Sequence, residues 1–420
     1  MYKVKYKIPR FRPSLSSKVI IDILKKVFSI SQIGNDEKKN QQFEEAFAKY
    51  LGVRNAVSMP SGRMGLFLIL KNLGLKEKSQ IILPSFTYWA VPHIVSFLNF
   101  VPVFVDINLK NYNLDVSQVE KNINKFTKAI LPTHLYGLPC YMDKILAVAK
   151  RYNLLVIEDC VQACGAEYKG IKVGSFGDAA YFSFGITKNL SLLNGGMVTT
   201  NNDELAKRIK EEVNSYGFLN KEQILRKVIM ALAMKIFTQP TISSFFLFPS
   251  MRLSFFLGKD IVGEVFEEKE RVFESLPKNY FKLIPSDLLA DFGLEQLLNL
   301  DSLNNKRIEN ALYLLENLKK LDGISLPSVS GNGIKNIFTN FPIQTKNRDF
   351  FARELLRRDI DTSCGYMRAF GKSCPNAIAA EQGILHIPIY PSLSKNELFY
   401  ISQVMKEIFE KQDYEVKEFI

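Results

Sequence analysis

LVIEDCVQACGAEYKGIKVGSFGDAAYFSFGITKNLSLLNGGMVTT, residues 155–200, decides the fold. With Leu154 it opens on LLVI (154–157), a short apolar run of the kind buried on both faces of a sheet. That run ends in Glu158-Asp159, placing an acid at the carboxyl end of a parallel strand, where open α/β sheets bind ligands. Small residues follow (Ala163, Gly165, Ala166), then a turn-rich GSFGD at 174–178. AAYFSF (179–184) reads as a second strand, delivering Ser183 and, five residues on, Lys188. GGMVTT (195–200) reads as a third, with Gly195-Gly196 permitting close backbone approach.

A buried carboxylate and an isolated lysine bracketed by strands suit pyridoxal 5'-phosphate. This cofactor needs a lysine to hold its aldehyde as a Schiff base. It also needs an acid to keep its ring nitrogen protonated, so that the ring accepts electrons. A structural acid and a surface lysine fit the same spacing, and the residues alone leave both readings open.

The stretch EDCVQACGAEYKGIKVGSFGDAAYFSFGITKNL (158–190) resembles the DegT/DnrJ/EryC1/StrS sugar aminotransferases. Their pattern runs E-D-x-A-Q-x-x-G-A, then G-S-x-G-D, then F-S-F-x-x-x-K-x-L. These are fold-type-I pyridoxal phosphate enzymes that usually act on nucleotide-linked keto sugars. The resemblance implies that Lys188 carries the cofactor and, once freed, serves as the base. It implies that Asp159 pairs with the ring nitrogen, Gln162 lies on the ring's hydroxyl side, and Ser183 helps hold the phosphate.

Other segments extend it. In PSGRMGLFLILKNLGL (60–75), Ser61-Gly62 opens a helix whose first N–H groups suit an anion, although locally an ordinary capped helix is the simpler reading. The family's S-G-T-x-A-L version holds the phosphate with the threonine and the next amide; here Arg63 and Met64 stand there, and Arg63 offers a guanidinium instead of a hydroxyl. PSFTYWA (84–90) resembles P-S-x-T-aromatic, which assigns ring stacking to Tyr88, with Trp89 as the neighbouring rival. HLYG (134–137) matches the family's H-L-Y-G, and His134 reads as a structural hydrogen-bonding residue. Residues 286–297 resemble the helix R-M-x-[DE]-x-x-A-x-x-G-x-x-Q-L, but the preceding G-Y-N-x-R-M is replaced by YFKLIP at 280–285. In the family that segment contributes to the dimeric active site and to sugar-nucleotide contact. ILHIPIYPSLS (384–394) resembles the family's C-terminal L-x-L-P-x-x-P-x-L-S, with His386 read as core.

With 420 residues the chain is long enough for two domains. Net charge is +12, from 55 basic and 43 acidic residues, which suits nucleic acid, an anionic membrane or a phosphorylated substrate. No nucleic-acid-binding motif accompanies it, so no nucleic-acid partner is expected. Five cysteines without a CxxC pair, beside three histidines, argue against a metal site and fit reduced thiols in the cytoplasm. The basic N-terminus has no apolar h-region, and no run of about 18 apolar residues is present.

Strands alternate with helices from 55 to 200, implying a doubly wound sheet. The expected fold is α/β: a fold-type-I transferase with a mostly parallel central sheet flanked by helices and a smaller C-terminal α/β domain. Residues 1–220 form the large domain with an N-terminal arm, 221–280 an apolar, basic insertion, and 281–420 the small domain. Within 223–258 there are four basic residues, no acid, and six phenylalanines between 237 and 256. Such a segment suits either the interface of an anionic bilayer or packing within a homodimer. The expected activity is transfer of an amino group from an amino acid, by the resemblance glutamate, to a keto group on a nucleotide-linked sugar or a membrane-associated glycan or lipid precursor. A pyridoxal-dependent sugar dehydratase is the first rival, disfavoured because those relatives replace the lysine with histidine. A non-enzymatic regulatory or membrane-surface protein on the same fold is the second, disfavoured by Lys188, Asp159 and Ser183.

Overall fold

Seven strands drawn from 55–200 form one sheet in the computed structural model. The structure describes residues 7–13, 17–29, 37–256, 283–284, 287–328, 331 and 333–417. The charged run expected at 264–276 and most of the 280–285 segment lie outside them. The strands are β1 (Asn55–Met59), β2 (Gln80–Pro84), β3 (Val101–Val105), β4 (Thr127–Ile130), β5 (Leu155–Asp159), β6 (Ala179–Ser183) and β7 (Gly196–Thr200). Their order is β1-β7-β6-β5-β4-β2-β3. β7 runs antiparallel to both its neighbours and every other pairing is parallel. The mostly parallel sheet read from the sequence is therefore present, with β7 as its exception.

Register fixes the edge that matters. Asp159 pairs with Tyr181 across β5 and β6, and Ser183 pairs with Gly196 across β6 and β7. The carboxyl ends of β5 and β6 thus meet the start of the reversed β7.

Helix α1 (Ser17–Ser29) and helix α2 (Glu37–Leu51) bury Ile20, Ile23, Phe43 and Phe47 against one face of the sheet. Helix α3 (Gly62–Asn72) is capped by Ser61 and buries residues 64–70 without a break, as a helix enclosed on all sides requires. It lies so close to the sheet that a Cβ on Gly65 would sit 3.2 Å from both Tyr181 Cβ and Val198 Cγ2.

Helix α4 (Lys221–Phe237) opens with a capping box between Asn220 and Gln223. A short turn at Pro240–Ile242 and a π-helical turn lead into helix α5 (Phe248–Phe256). Pro249 lies in the first turn of α5, where a proline's missing N–H costs nothing. Helix α6 (Asp287–Leu318) then runs for 32 residues into the C-terminal unit.

That unit pairs the strands Phe341–Gln344 and Ile384–Ile387 over a core of Leu314, Phe341, Phe351, Leu385 and Met405. Of the strand expected over 336–344, only the last part forms. The described part of the N-terminal arm docks here, not on the large sheet. Ile8 is fully buried in this core and bridges to Ile360, while Arg10 grips both carboxylate oxygens of Asp361 at 2.8 and 2.9 Å.

Candidate active site

Glu158 and Asp159 end β5 side by side, and the sheet's alternation sends them to different tasks. Glu158 is fully buried. It accepts hydrogen bonds from the amides of Gly174, Phe176 and Gly177 at 2.8–2.9 Å and lies 3.0 Å from His134 Nε2. His134 Nδ1 accepts from the Cys140 amide, so its proton sits on Nε2 and is donated to Glu158. This hub folds the GSFGD turn back under the strand. Cys160 Sγ also lies near His134 and Glu158, but burial drives its thiol pKa well up, and the other two are consumed by hydrogen bonds.

Asp159 faces the other way. Burial raises its pKa above the usual carboxylate range; the Tyr181 hydroxyl beside it, the Val161 amide on Oδ1 and the charge of Lys188 pull against this. A buried carboxylate whose ionisation burial still disfavours is suited to a cation beside it.

Lys188 follows β6 on a turn closed by its own amide to Gly185 O, and is half-buried. Its Nζ lies 5.9 Å from the centre of the Tyr366 ring, which meets the Tyr88 ring edge-on at 5.9 Å. Tyr88 is half-buried beside this cluster, whereas Trp89 is buried in the core beneath α3. Gln162 lines the same cleft; its Oε1 accepts from the Tyr136 amide, leaving the amide nitrogen free to donate.

Ser183 and α3 come together at one point. A Cβ on Gly62 would lie 3.2 Å from Ser183 Cβ and from Val161 Cγ2, and one on Gly196 would overlap Phe182 O. Only bare backbone fits here. Arg63 stands half-buried in the first turn beside it. Met64 differs from expectation: its amide donates to Ser61 Oγ at 3.3 Å instead of remaining open, and its side chain is core.

A cleft of about 190 Å³ opens at Gln162 and Lys188 and is lined also by Val161, Arg307, Tyr366 and His386 among others. His386, read as core, is buried yet forms part of this wall, and burial lowers its pKa to about 4. Arg307, Tyr366 and Asn340 were not anticipated. A larger depression of about 500 Å³ between α2, β1 and the helix Asp203–Val213 holds no comparable set of reactive groups.

An acid at the end of β5, a lysine beyond β6, a hydroxyl against a helix N-terminus and an aromatic ring fit a pyridoxal phosphate ring and its phosphate. The bare backbone at Gly62 and Gly196 lets the start of α3 pack directly on the strand that carries Ser183, bringing that hydroxyl to the helix N-terminus. Fold and constellation together define a fold-type-I pyridoxal phosphate enzyme. Residues 16–238 and 263–406 match the DegT/DnrJ/EryC1/StrS aminotransferase family, and the chain belongs to it. The match breaks between 238 and 263, so α4 lies within the family pattern and the unmatched segment is shorter than the 221–280 read from the sequence.

Relatives agree. The dTDP-3-amino-3,6-dideoxy-alpha-D-galactopyranose transaminase of Aneurinibacillus thermoaerophilus is 31% identical over 85% of this chain and 86% of its own. Protein MJ1066 of Methanocaldococcus jannaschii is 31% identical over 96% of this chain and 97% of its own. S. venezuelae DesV, solved in complex with a ketimine intermediate, superposes with a TM-score of 0.74 at 27% identity, covering 97% of this chain and 99% of its own.

Proposed function

We propose that this chain is a pyridoxal phosphate-dependent aminotransferase that moves an amino group from an amino acid to a keto group on a nucleotide-linked sugar. The observation that carries the reading is the convergence of Asp159, Lys188 and Ser183 at one sheet edge, with α3 opening beside Ser183. When bound, the cofactor supplies the electron sink for proton movement at the amino carbon. Asp159 holds the proton on the ring nitrogen. Lys188 holds the cofactor covalently and, once displaced, carries the proton between carbon atoms. Gln162 donates from its free amide nitrogen to the ring's hydroxyl side. Tyr88 covers the ring face. Ser183, Arg63 and the first turn of α3 hold the phosphate, where charge-assisted bonds are strongest.

The amino donor is glutamate, as in the family. The chain works as a homodimer whose partner completes the acceptor side of the site. Departure from the family's G-Y-N-x-R-M pattern at 280–285 leaves a membrane-associated glycan or lipid precursor as the alternative acceptor. One observation favours that alternative: Phe245 and Phe246 are 73% and 66% exposed, and Ile229, Phe237 and Leu253 are exposed in the same segment. No helix among the described residues is long and apolar enough to cross a membrane, and the alternative reading is of a peripheral contact.

Borohydride reduction of purified protein followed by peptide mapping tests the reading. The label is expected on Lys188 together with loss of the visible absorbance of the lysine-bound cofactor. A label on another lysine, or none, overturns it.

A further inference from the structure

Arg307 lies on α6 with 5% of its surface exposed, in the wall of the cleft that also holds Lys188. A buried guanidinium normally has a carboxylate, because an unpaired charge out of water costs several kcal/mol. Among the described residues none lies within ion-pair distance. Its Nη1 donates to the side-chain oxygen of Asn304 at 2.9 Å. An amide oxygen carries no charge, and burial lowers the Arg307 pKa to about 10 with no acid opposing it.

Its position is fixed from behind. The same Asn304 oxygen accepts from Asn189 Nδ2 at 3.1 Å, and Asn189 is the neighbour of Lys188. Both asparagines are tied to Cys164 O, at 2.7 and 3.1 Å. The guanidinium is therefore braced to the backbone that carries the lysine, with its other N–H groups available to a ligand.

The cleft contains three cations, Arg10, Lys188 and Arg307, and no carboxylate among its described lining residues. Arg10 is neutralised by Asp361. Lys188 is assigned to the cofactor. His386 is neutral at working pH. Ser183 and the start of α3, which suit the cofactor's phosphate, are not part of this wall. One buried positive charge is left over, facing the space that substrate must enter.

We infer that Arg307 forms a carboxylate subsite for the amino-acid donor. The inference rests on the aminotransferase reading for the identity of that donor. A carboxylate is the planar, two-oxygen partner that a guanidinium meets with paired hydrogen bonds. A nucleotide's diphosphate is disfavoured by size: about 190 Å³ is below the roughly 300–1,000 Å³ of pockets for larger ligands.

Glutarate, which has the donor's carboxylates and no amino group, is the probe. Calorimetric titration of the protein as purified reads the subsite whether or not the cofactor absorbance is present, so a failed cofactor assignment and a failed subsite are told apart. Wild type is expected to bind glutarate at least tenfold more tightly than glutaramide, its uncharged analogue; equal binding overturns the inference without any variant. Arg307→Gln is expected to weaken glutarate at least tenfold and Arg307→Lys less, both keeping the visible absorbance. In single turnover, Arg307→Gln raises the glutamate concentration for half-saturation by a similar factor. Loss of UDP binding with glutarate binding unchanged overturns the inference in favour of a phosphate subsite.

Discussion

Ser183 and Gly62 come from segments far apart in sequence, yet a Cβ on Gly62 would lie 3.2 Å from Ser183 Cβ. The hydroxyl of the F-S-F strand thereby meets the first turn of a helix in a space that tolerates no side chain.

This closeness predicts the effect of Gly62→Ala. The added methyl also meets Val161 Cγ2 at 3.2 Å and Phe182 O at 3.3 Å, tighter than ordinary contact. A helical alanine is intrinsically favoured over glycine, so overall stability should change by less than about 1 kcal/mol. Cofactor affinity should fall about tenfold or more, as the methyl pushes the first turn of α3 away from Ser183, separating the two groups assigned to the phosphate. Fluorescence titration of apoprotein with pyridoxal 5'-phosphate checks it; unchanged affinity alongside an unchanged melt would place the phosphate elsewhere.

Asp159→Asn should leave the cofactor bound and slow transamination about 10²–10³-fold, the scale of losing one preorganised electrostatic partner. A neutral amide cannot hold the ring nitrogen protonated. Single-turnover half-reactions measure this directly, and a variant within a few-fold of wild type refutes the role. The same carboxylate gives apoprotein a pH signature. Its folded pKa is raised by burial, so it binds protons more tightly folded than unfolded. Its contribution is full below the unfolded pKa of about 3.9 and is lost as pH rises through the folded value. The stability difference between wild type and Asp159→Asn should therefore move against wild type as pH rises from about 4, and denaturant melts of the two apoproteins read it.

Glu158 predicts the opposite kind of failure. Removing it in Glu158→Ala leaves the buried Gly174 amide, the part-buried amides of Phe176 and Gly177, and the buried His134 N–H without their acceptor. At about 1–3 kcal/mol per orphaned donor the loss should exceed about 3 kcal/mol. The expected result is a lower melting temperature with lost cofactor absorbance, since the GSFGD turn and β5 shift together. Full stability in the variant would show that the turn stands without it.

Spacing placed Lys188, Asp159 and Ser183 near strand ends but left a structural acid and a surface lysine equally open; the family resemblance singled them out. The sheet followed from the alternation of strands with helices. β7's reversed direction was not legible, since hydrophobic pattern carries no sign. Arg307 escaped because a single arginine among Asn304, Asn305, Lys306 and Glu309 looks like the solvated side of an amphipathic helix; in the fold it is buried beside Asn304, which bonds in turn to Asn189. Tyr366 escaped for a related reason, arriving from a distant loop through pairing of Met367–Ala369 with Phe86–Tyr88. The N-terminal arm's docking on the C-terminal unit was not legible, because a Pro-broken basic stretch has no period to say which core receives Ile8.

The segment after α4 yields the last prediction, altered by what the structure places there. Phe248 is fully buried with Met251 against Leu356, so replacing it would test folding and not attachment. Two of the four basic residues are also committed: Arg226 pairs with Glu222 at 2.5 Å and Arg252 with Asp359 at 2.7 Å. The segment's apparent charge excess is therefore partly cancelled by acids just outside it, and attraction to anionic lipid should be modest. Apolar burial remains. Phe237, Phe245 and Phe246 are each about half or more exposed, and covering them would contribute about 3–6 kcal/mol in total. That suffices for reversible binding at a bilayer interface. Wild type is expected to float with liposomes, only slightly better when these are anionic, and to lose little binding at raised salt. The triple variant Phe237→Ser, Phe245→Ser, Phe246→Ser should stay at the bottom of the gradient with its visible absorbance intact. If neither protein floats with either lipid, the membrane reading fails. Sedimentation then decides the remaining one: a dimer in wild type that becomes monomer in the variant would place these three side chains against the partner subunit.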